Sequence, residues 1–93
     1  MIIRKARVFI SGFVQGVGFR QYIKRFAKQI GIKGWVRNLP DGRVEAIFLG
    51  EKAKIEQMIQ LSRKGPFLAE VKDVDVIWQN NEGSETFDDF EVI

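Results

Sequence analysis

The stretch Val14-Gln15-Gly16-Val17-Gly18-Phe19-Arg20 gathers residue types that suit a phosphoryl group. Gly16 and Gly18 reach backbone angles closed to other residues, so the loop can curl with its N–H groups pointing inward. A helix starting beside it adds unpaired N–H groups and a partial positive charge. Arg20 falls in or beside the first helical turn, where the helix dipole disfavours a cation. An anion held between the loop and Arg20 removes that conflict, which is the signature of a small anion site. An ordinary strand-to-helix turn followed by a solvated arginine has the same composition, so the loop by itself leaves both readings open. Better-known glycine motifs do not fit. No Lys-Ser or Lys-Thr follows the glycines, and Gln21 stands where a dinucleotide fingerprint needs its third glycine.

Asn38 is the second candidate. It closes an apolar-patterned run just before turn residues, and its amide can donate and accept at once. That suits holding a water in line with a phosphorus atom. Asparagine before a turn also commonly bonds its own backbone. Asp41 and Glu45 form a carboxylate pair on paper, but the Asp41-Gly42 turn explains the first and a solvated strand face the second. Lys24, Arg25 and Lys28 read as a solvated helix face, and Arg37 as a weak candidate for attracting an anionic substrate.

The elements that must position these residues follow from periodicity. Arg4 to Ser11 alternates, with Ala6, Val8 and Ile10 on one face and Arg7, Phe9 and Ser11 on the other, as in a half-buried strand. Phe19, Tyr22, Ile23, Phe26, Ala27 and Ile30 recur at three and four, which predicts an amphipathic helix over 19–30 stopped by Gly31. The Tyr22 and Phe26 stripe belongs to its core face. Lys33 to Asn38 reads as a second strand. Asn38-Leu39-Pro40-Asp41-Gly42 is turn chemistry, so Arg43 to Leu49 completes a hairpin. On that third strand Val44, Ala46 and Phe48 share one face, Glu45, Ile47 and Leu49 the other. A second helix opens at Gly50-Glu51, runs through Ile55, Met58 and Ile59, and ends near Gly65-Pro66. Val71 to Gln79 is a fourth strand, with Val74, Val76 and Trp78 on one face. A polar loop over 80–85 and a short last strand within Phe87 to Ile93 complete the chain. The order predicts an α+β fold, the ferredoxin-like split βαβ sandwich (βαββαβ). Its antiparallel sheet has four to five strands, with two helices on one face.

Composition excludes much. The 93 residues make one domain, 1–93, with 45% hydrophobic and 29% charged residues, ordinary values for a globular protein. Cysteine and histidine are both absent. Disulfides, thiolate zinc sites, cysteine nucleophiles, Ser-His-Asp triads and phosphohistidine intermediates are therefore impossible. A net charge of +3 suits anionic ligands without arguing for nucleic acid. No apolar run approaches the ~20 residues of a membrane span, and no signal-peptide core precedes Arg4, so a cytoplasmic location is expected.

Taken together, residues 14–20 and the block Gly34-Trp35-Val36-Arg37-Asn38-Leu39-Pro40-Asp41-Gly42-Arg43-Val44-Glu45 resemble the acylphosphatase family. The spacing of the blocks and the element order match as well, so the resemblance covers nearly the whole chain. It implies hydrolysis of the carboxyl–phosphate bond of small acyl phosphates, giving a carboxylate and inorganic phosphate. By resemblance, the backbone of Gln15, Gly16, Val17, Gly18 and Phe19 and the side chain of Arg20 hold the phosphoryl oxygens, and Asn38 orients the attacking water. No cofactor, metal or covalent intermediate is implied, and a stand-alone monomer acting without nucleic acid or membrane is expected. The chemistry agrees. A carboxylate leaves without needing a proton, so the missing histidine costs nothing, whereas an alkoxide from a phosphomonoester would need an acid or a metal. Gly18 is a departure, standing where many relatives carry a larger residue, often aromatic or cysteine, and it predicts a looser loop.

Two other classes share parts of this pattern. The same loop occurs in the leading domain of hydrogenase maturation carbamoyltransferases, so a non-catalytic phosphate- or carbamoyl-phosphate-binding accessory domain is one alternative. The chain stops at Ile93 without the rest of such a protein, which favours the free-standing enzyme. An RNA-binding module shares the element order but needs aromatics on the open sheet face. That face offers Phe9, with Ile47 and Leu49 where further aromatics are expected. The acidic tail Phe87 to Ile93 reads as edge-strand structure only.

Overall fold

Alternation along β1 (Arg4–Phe13) sends Ala6, Val8 and Ile10 to one side of the sheet, where each is fully buried. A computed structural model describes residues 2–80 and 87–93. After β1 come α1 (Phe19–Ile30), β2 (Lys33–Asn38), β3 (Val44–Gly50), α2 (Lys52–Lys64), β4 (Glu70–Gln79) and β5 (Phe90–Val92). The expected ferredoxin-like order is present, and α1 keeps the bounds that its periodicity predicts. The strands lie in the order β4-β1-β3-β2-β5. Ile23 and Ala27 of α1 and Ile55 and Met58 of α2 meet Val8, Val36, Ala46 and Phe48 of the sheet in one core. The Tyr22 hydroxyl donates to the Leu61 carbonyl at 2.8 Å, tying α1 to α2, and Tyr22 and Phe26 pack against that core as expected. Burial pushes the Tyr22 phenol up from its usual value, against a smaller opposing effect of Arg25.

The structure corrects three expectations. The sheet is mixed, because β5 runs parallel to β2, with Gly34, Trp35 and Val36 beside Phe90, Glu91 and Val92. β4 is antiparallel to β1 and ends where β1 begins, so a strand starting from there runs with β2. β1 also continues past Ser11 to Phe13, through a register shift at Ser11/Gly12 that keeps it paired with β4.

Glu45 lies on the open face but is not solvated there. Its side chain is only 4% exposed, held by Arg7 and by Arg37, whose Nε donates to Oε1 at 2.7 Å. Two guanidinium groups replace the water that a lone carboxylate would need. This fixes Arg37 on the open face of the sheet, over the Trp35 ring at 5.1 Å, opposite in facing to Asn38 next to it. The expected polar loop over 80–85 lies, from residue 81 on, outside the described residues.

Candidate active site

The loop between β1 and α1 is shaped by two left-handed residues, Gly16 at φ 76° and Gly18 at φ 78°. An added Cβ at either would meet nothing within 4 Å, so the backbone conformation and not lack of space calls for glycine there. Gly18 is the N-cap of α1. It supplies no side-chain cap, and the first turn holds no acidic residue. The leading N–H groups of the helix are thus left for a ligand or solvent. Phe19 is 2% exposed and anchors the helix start in the core, which leaves Arg20 half-buried at the second helical position. Arg7, Arg37 and Arg43 each pair with a carboxylate. Among the described residues no carboxylate or hydrogen-bond acceptor engages the Arg20 guanidinium.

Asn38 ends β2 opposite Val44 and shares the face of buried Val36, so its side chain turns toward the helix layer. Its Oδ1 is buried and accepts no hydrogen bond from any described residue. The local backbone bond common for asparagine before a turn is therefore not what occupies this oxygen. The turn itself is closed by Leu39 N–H to the Arg43 carbonyl at 2.8 Å and by Gly42 N–H to the Leu39 carbonyl at 3.2 Å. Asp41 caps it as the Asp-Gly pattern predicts, accepting from the Arg43 N–H at 3.0 Å and from its Nε at 2.8 Å. Those bonds, the backbone one foremost, hold the Asp41 carboxyl below the usual carboxylate range.

These features converge on one cavity of about 260 Å³, lined by Val14, Gly16, Gly18, Phe19, Arg20, Gln21, Asn38 and Val92. Gln15 and Val17, expected in the phosphate site, do not line it. The Gln15 amide turns to the Leu39 and Arg43 carbonyls, and Val17 packs against the core. Val92 joins the lining although the tail Phe87 to Ile93 reads as edge-strand structure only. Only the parallel placement of β5 beside β2, sealed by Ile93 N–H to the Val36 carbonyl at 3.0 Å, carries it to the cavity. The alternation of Phe90 and Val92 was the available signal. A wider groove between α1 and α2, about 700 Å³, is lined by Phe26, Ile30, Ala53 and Leu61 with three glutamines, Glu56 and Lys64, and holds neither the glycine loop nor Arg20 and Asn38. Among the described residues no group of three acidic side chains is placed to hold a metal ion.

A family model described as Acylphosphatase matches residues 6–92. The chain belongs to the acylphosphatase family. It is 48% identical over 85 residues to an acylphosphatase of Roseiflexus, covering 91% of both chains. Against an acylphosphatase of Thermococcus kodakarensis it is 48% identical over 83 residues, with 89% and 91% of the two chains covered. The solved structure of an acylphosphatase from Coxiella burnetii superposes with a TM-score of 0.90 at 33% identity, covering 98% of this chain and 93% of that one.

The family assignment agrees with the open sheet face. Trp35 joins Phe9 there, but Arg37 covers the Trp35 ring and Arg43 sits 4.7 Å over the Phe9 ring. Ile47 and Leu49 of β3, on the same face, are buried. Those two arginines are paired with Glu45 and Asp41. No described helix is long and apolar enough to cross a membrane.

Proposed function

We propose that the 14–20 loop backbone and Arg20 hold the phosphoryl group of a small acyl phosphate while Asn38 aims the water that displaces its carboxylate. The activity is that of the family, acyl-phosphate hydrolysis. The observation that carries the site assignment is the buried, unpartnered Asn38 Oδ1 in a cavity shared with Gly16, Gly18 and Arg20. A buried acceptor without a donor is costly, and a water donating one hydrogen to Oδ1 relieves it. That water is then held with a lone pair free to face phosphorus. As its oxygen bonds to phosphorus, the bond from phosphorus to the acyl oxygen breaks and the electron pair leaves on the carboxylate. The water proton ends on the phosphate product or in solvent. Charge on the equatorial phosphoryl oxygens is met by Arg20 and by the N–H groups of the loop and first helical turn. No residue need supply a proton to the leaving group.

This reading brings with it one domain over 1–93, a monomer in the cytoplasm, a diffusible substrate, and no metal, nucleic acid or membrane in the reaction. The lack of cysteine and histidine supports a reaction without metal, and the match of both sequence blocks supports the small acyl-phosphate substrate. The test is hydrolysis of benzoyl phosphate with chelator present, against p-nitrophenyl phosphate as ester control. Chelator-resistant turnover of benzoyl phosphate with little or no ester cleavage is expected. Binding of phosphate without turnover would instead make the loop an accessory site.

A further inference from the structure

We infer that Gln15 is a positioning residue that sets Asn38 against the phosphate loop, an inference that rests on the functional reading above. Its side chain uses both amide hydrogens across the gap, donating through Nε2 to the Leu39 carbonyl at 2.8 Å and to the Arg43 carbonyl at 2.9 Å. Those two carbonyls are the ones that close the β2–β3 turn, each also accepting a backbone N–H of that turn. One amide thus grips the turn at both ends, from a residue adjoining Gly16 of the cavity wall.

The need for such a tie follows from topology. The loop leaves β1 and Asn38 ends β2, but β1 and β2 are not neighbours, since β3 lies between them. Among the described hydrogen bonds, only those of Gln15 join the loop to the turn. The Asn38 side-chain oxygen has no donor among the described residues to steady it. Its place is set by strand pairing opposite Val44 on one side and by Leu39, which Gln15 holds, on the other. A neutral donor is required. A glutamate would face two carbonyl oxygens with a carboxylate and no hydrogen to give. A misplacement of about 1 Å in a group that orients a nucleophile costs about 100-fold in rate. The phosphoryl cradle is built from the Arg20 side chain and from backbone N–H groups of the loop and helix start, and replacing the Gln15 side chain removes none of those donors.

The test compares Gln15→Met and Gln15→Glu with wild type, each also combined with Asn38→Ala. It measures kcat and KM for benzoyl phosphate, competitive inhibition by inorganic phosphate, and the thermal midpoint. The expected result is a fall in kcat of about 10- to 100-fold, with the phosphate inhibition constant held within about threefold. In the Asn38→Ala background the Gln15 changes should cost less than about twofold more, since residues acting as one unit are not additive. Unchanged kcat, parallel loss of turnover and phosphate binding, additive losses, or failure of both variants to fold would each overturn it. If wild type and Asn38→Ala behave as proposed and the Gln15 variants do not, this inference alone fails. If wild type does not hydrolyse benzoyl phosphate, the functional reading falls, and this inference with it.

Discussion

Arg20, from the first turn of α1, and Asn38, from the last residue of β2, line one cavity of about 260 Å³. The cation lacks a carboxylate partner among the described residues, and the amide oxygen lacks any hydrogen-bond donor. In the proposed reading an acyl phosphate with its attacking water satisfies both at once.

Arg20→Gln removes the charge that the proposed function sets against the phosphoryl oxygens and leaves a shorter, neutral polar side chain. Hydrogen bonds to charged groups contribute about 1.5–3 kcal/mol each, so kcat/KM for benzoyl phosphate should fall by about 100-fold or more. Phosphate inhibition should weaken with it, because the same contact holds product and substrate. Steady-state kinetics with added phosphate checks both, and thermal stability should hardly change.

Gly18→Ala tests the loop. The space is open but the residue sits at φ 78°, and a left-handed conformation costs a residue with a Cβ about 1–2 kcal/mol. Urea unfolding should show a loss of that size, while phosphate still protects the variant against unfolding because no contact is blocked.

Glu45→Gln leaves Arg7 and Arg37 without a countercharge in a site where the carboxylate is 4% exposed. Breaking a fully buried pair costs about 3–5 kcal/mol, but these arginines are 30% and 46% exposed, so about 1–3 kcal/mol is expected. Turnover at 25 °C should stay near wild type, since Glu45 faces away from the cavity. A fall in activity without a fall in denaturation midpoint would contradict that separation.

Acid should remove the contribution of Asp41. Its carboxyl is held below the usual range in the folded chain, so the unfolded chain binds the proton first. The stability it gives is present above the ordinary carboxylate value, about pH 4, and is lost as pH falls through the lower folded value. Asp89 behaves alike, held down by the Phe90 N–H first and by Lys28. The gap in urea midpoint between wild type and Asp41→Ala should therefore be open at pH 6 and close toward pH 3. A gap that widens in acid would give the wrong sign.

What could be read from the chain was local. The spacing of Phe19, Ile23, Ala27 and Ile30 sets α1, and the Asp41-Gly42 turn sets the hairpin, because both depend on neighbours in sequence. Arg20 and Asn38 could be named since their types and the family blocks mark them. What could not be read was who meets whom across strands. Glu45 looks solvated until Arg7 of β1 and Arg37 of β2 are seen to flank it. Val92 looks peripheral until β5 is laid parallel to β2. Gln15 reads as a loop backbone residue, and its side-chain grip on Leu39 and Arg43 appears only once β3 separates the two strands.

The most direct measurement is kcat for benzoyl phosphate and phosphate inhibition, taken together, in Asn38→Ala. With the amide gone the water loses its holder while the phosphoryl cradle stays, so kcat should drop by about 100-fold or more and phosphate should bind within about threefold of wild type. Turnover near wild type, or phosphate binding lost in step with turnover, would contradict the role assigned to Asn38.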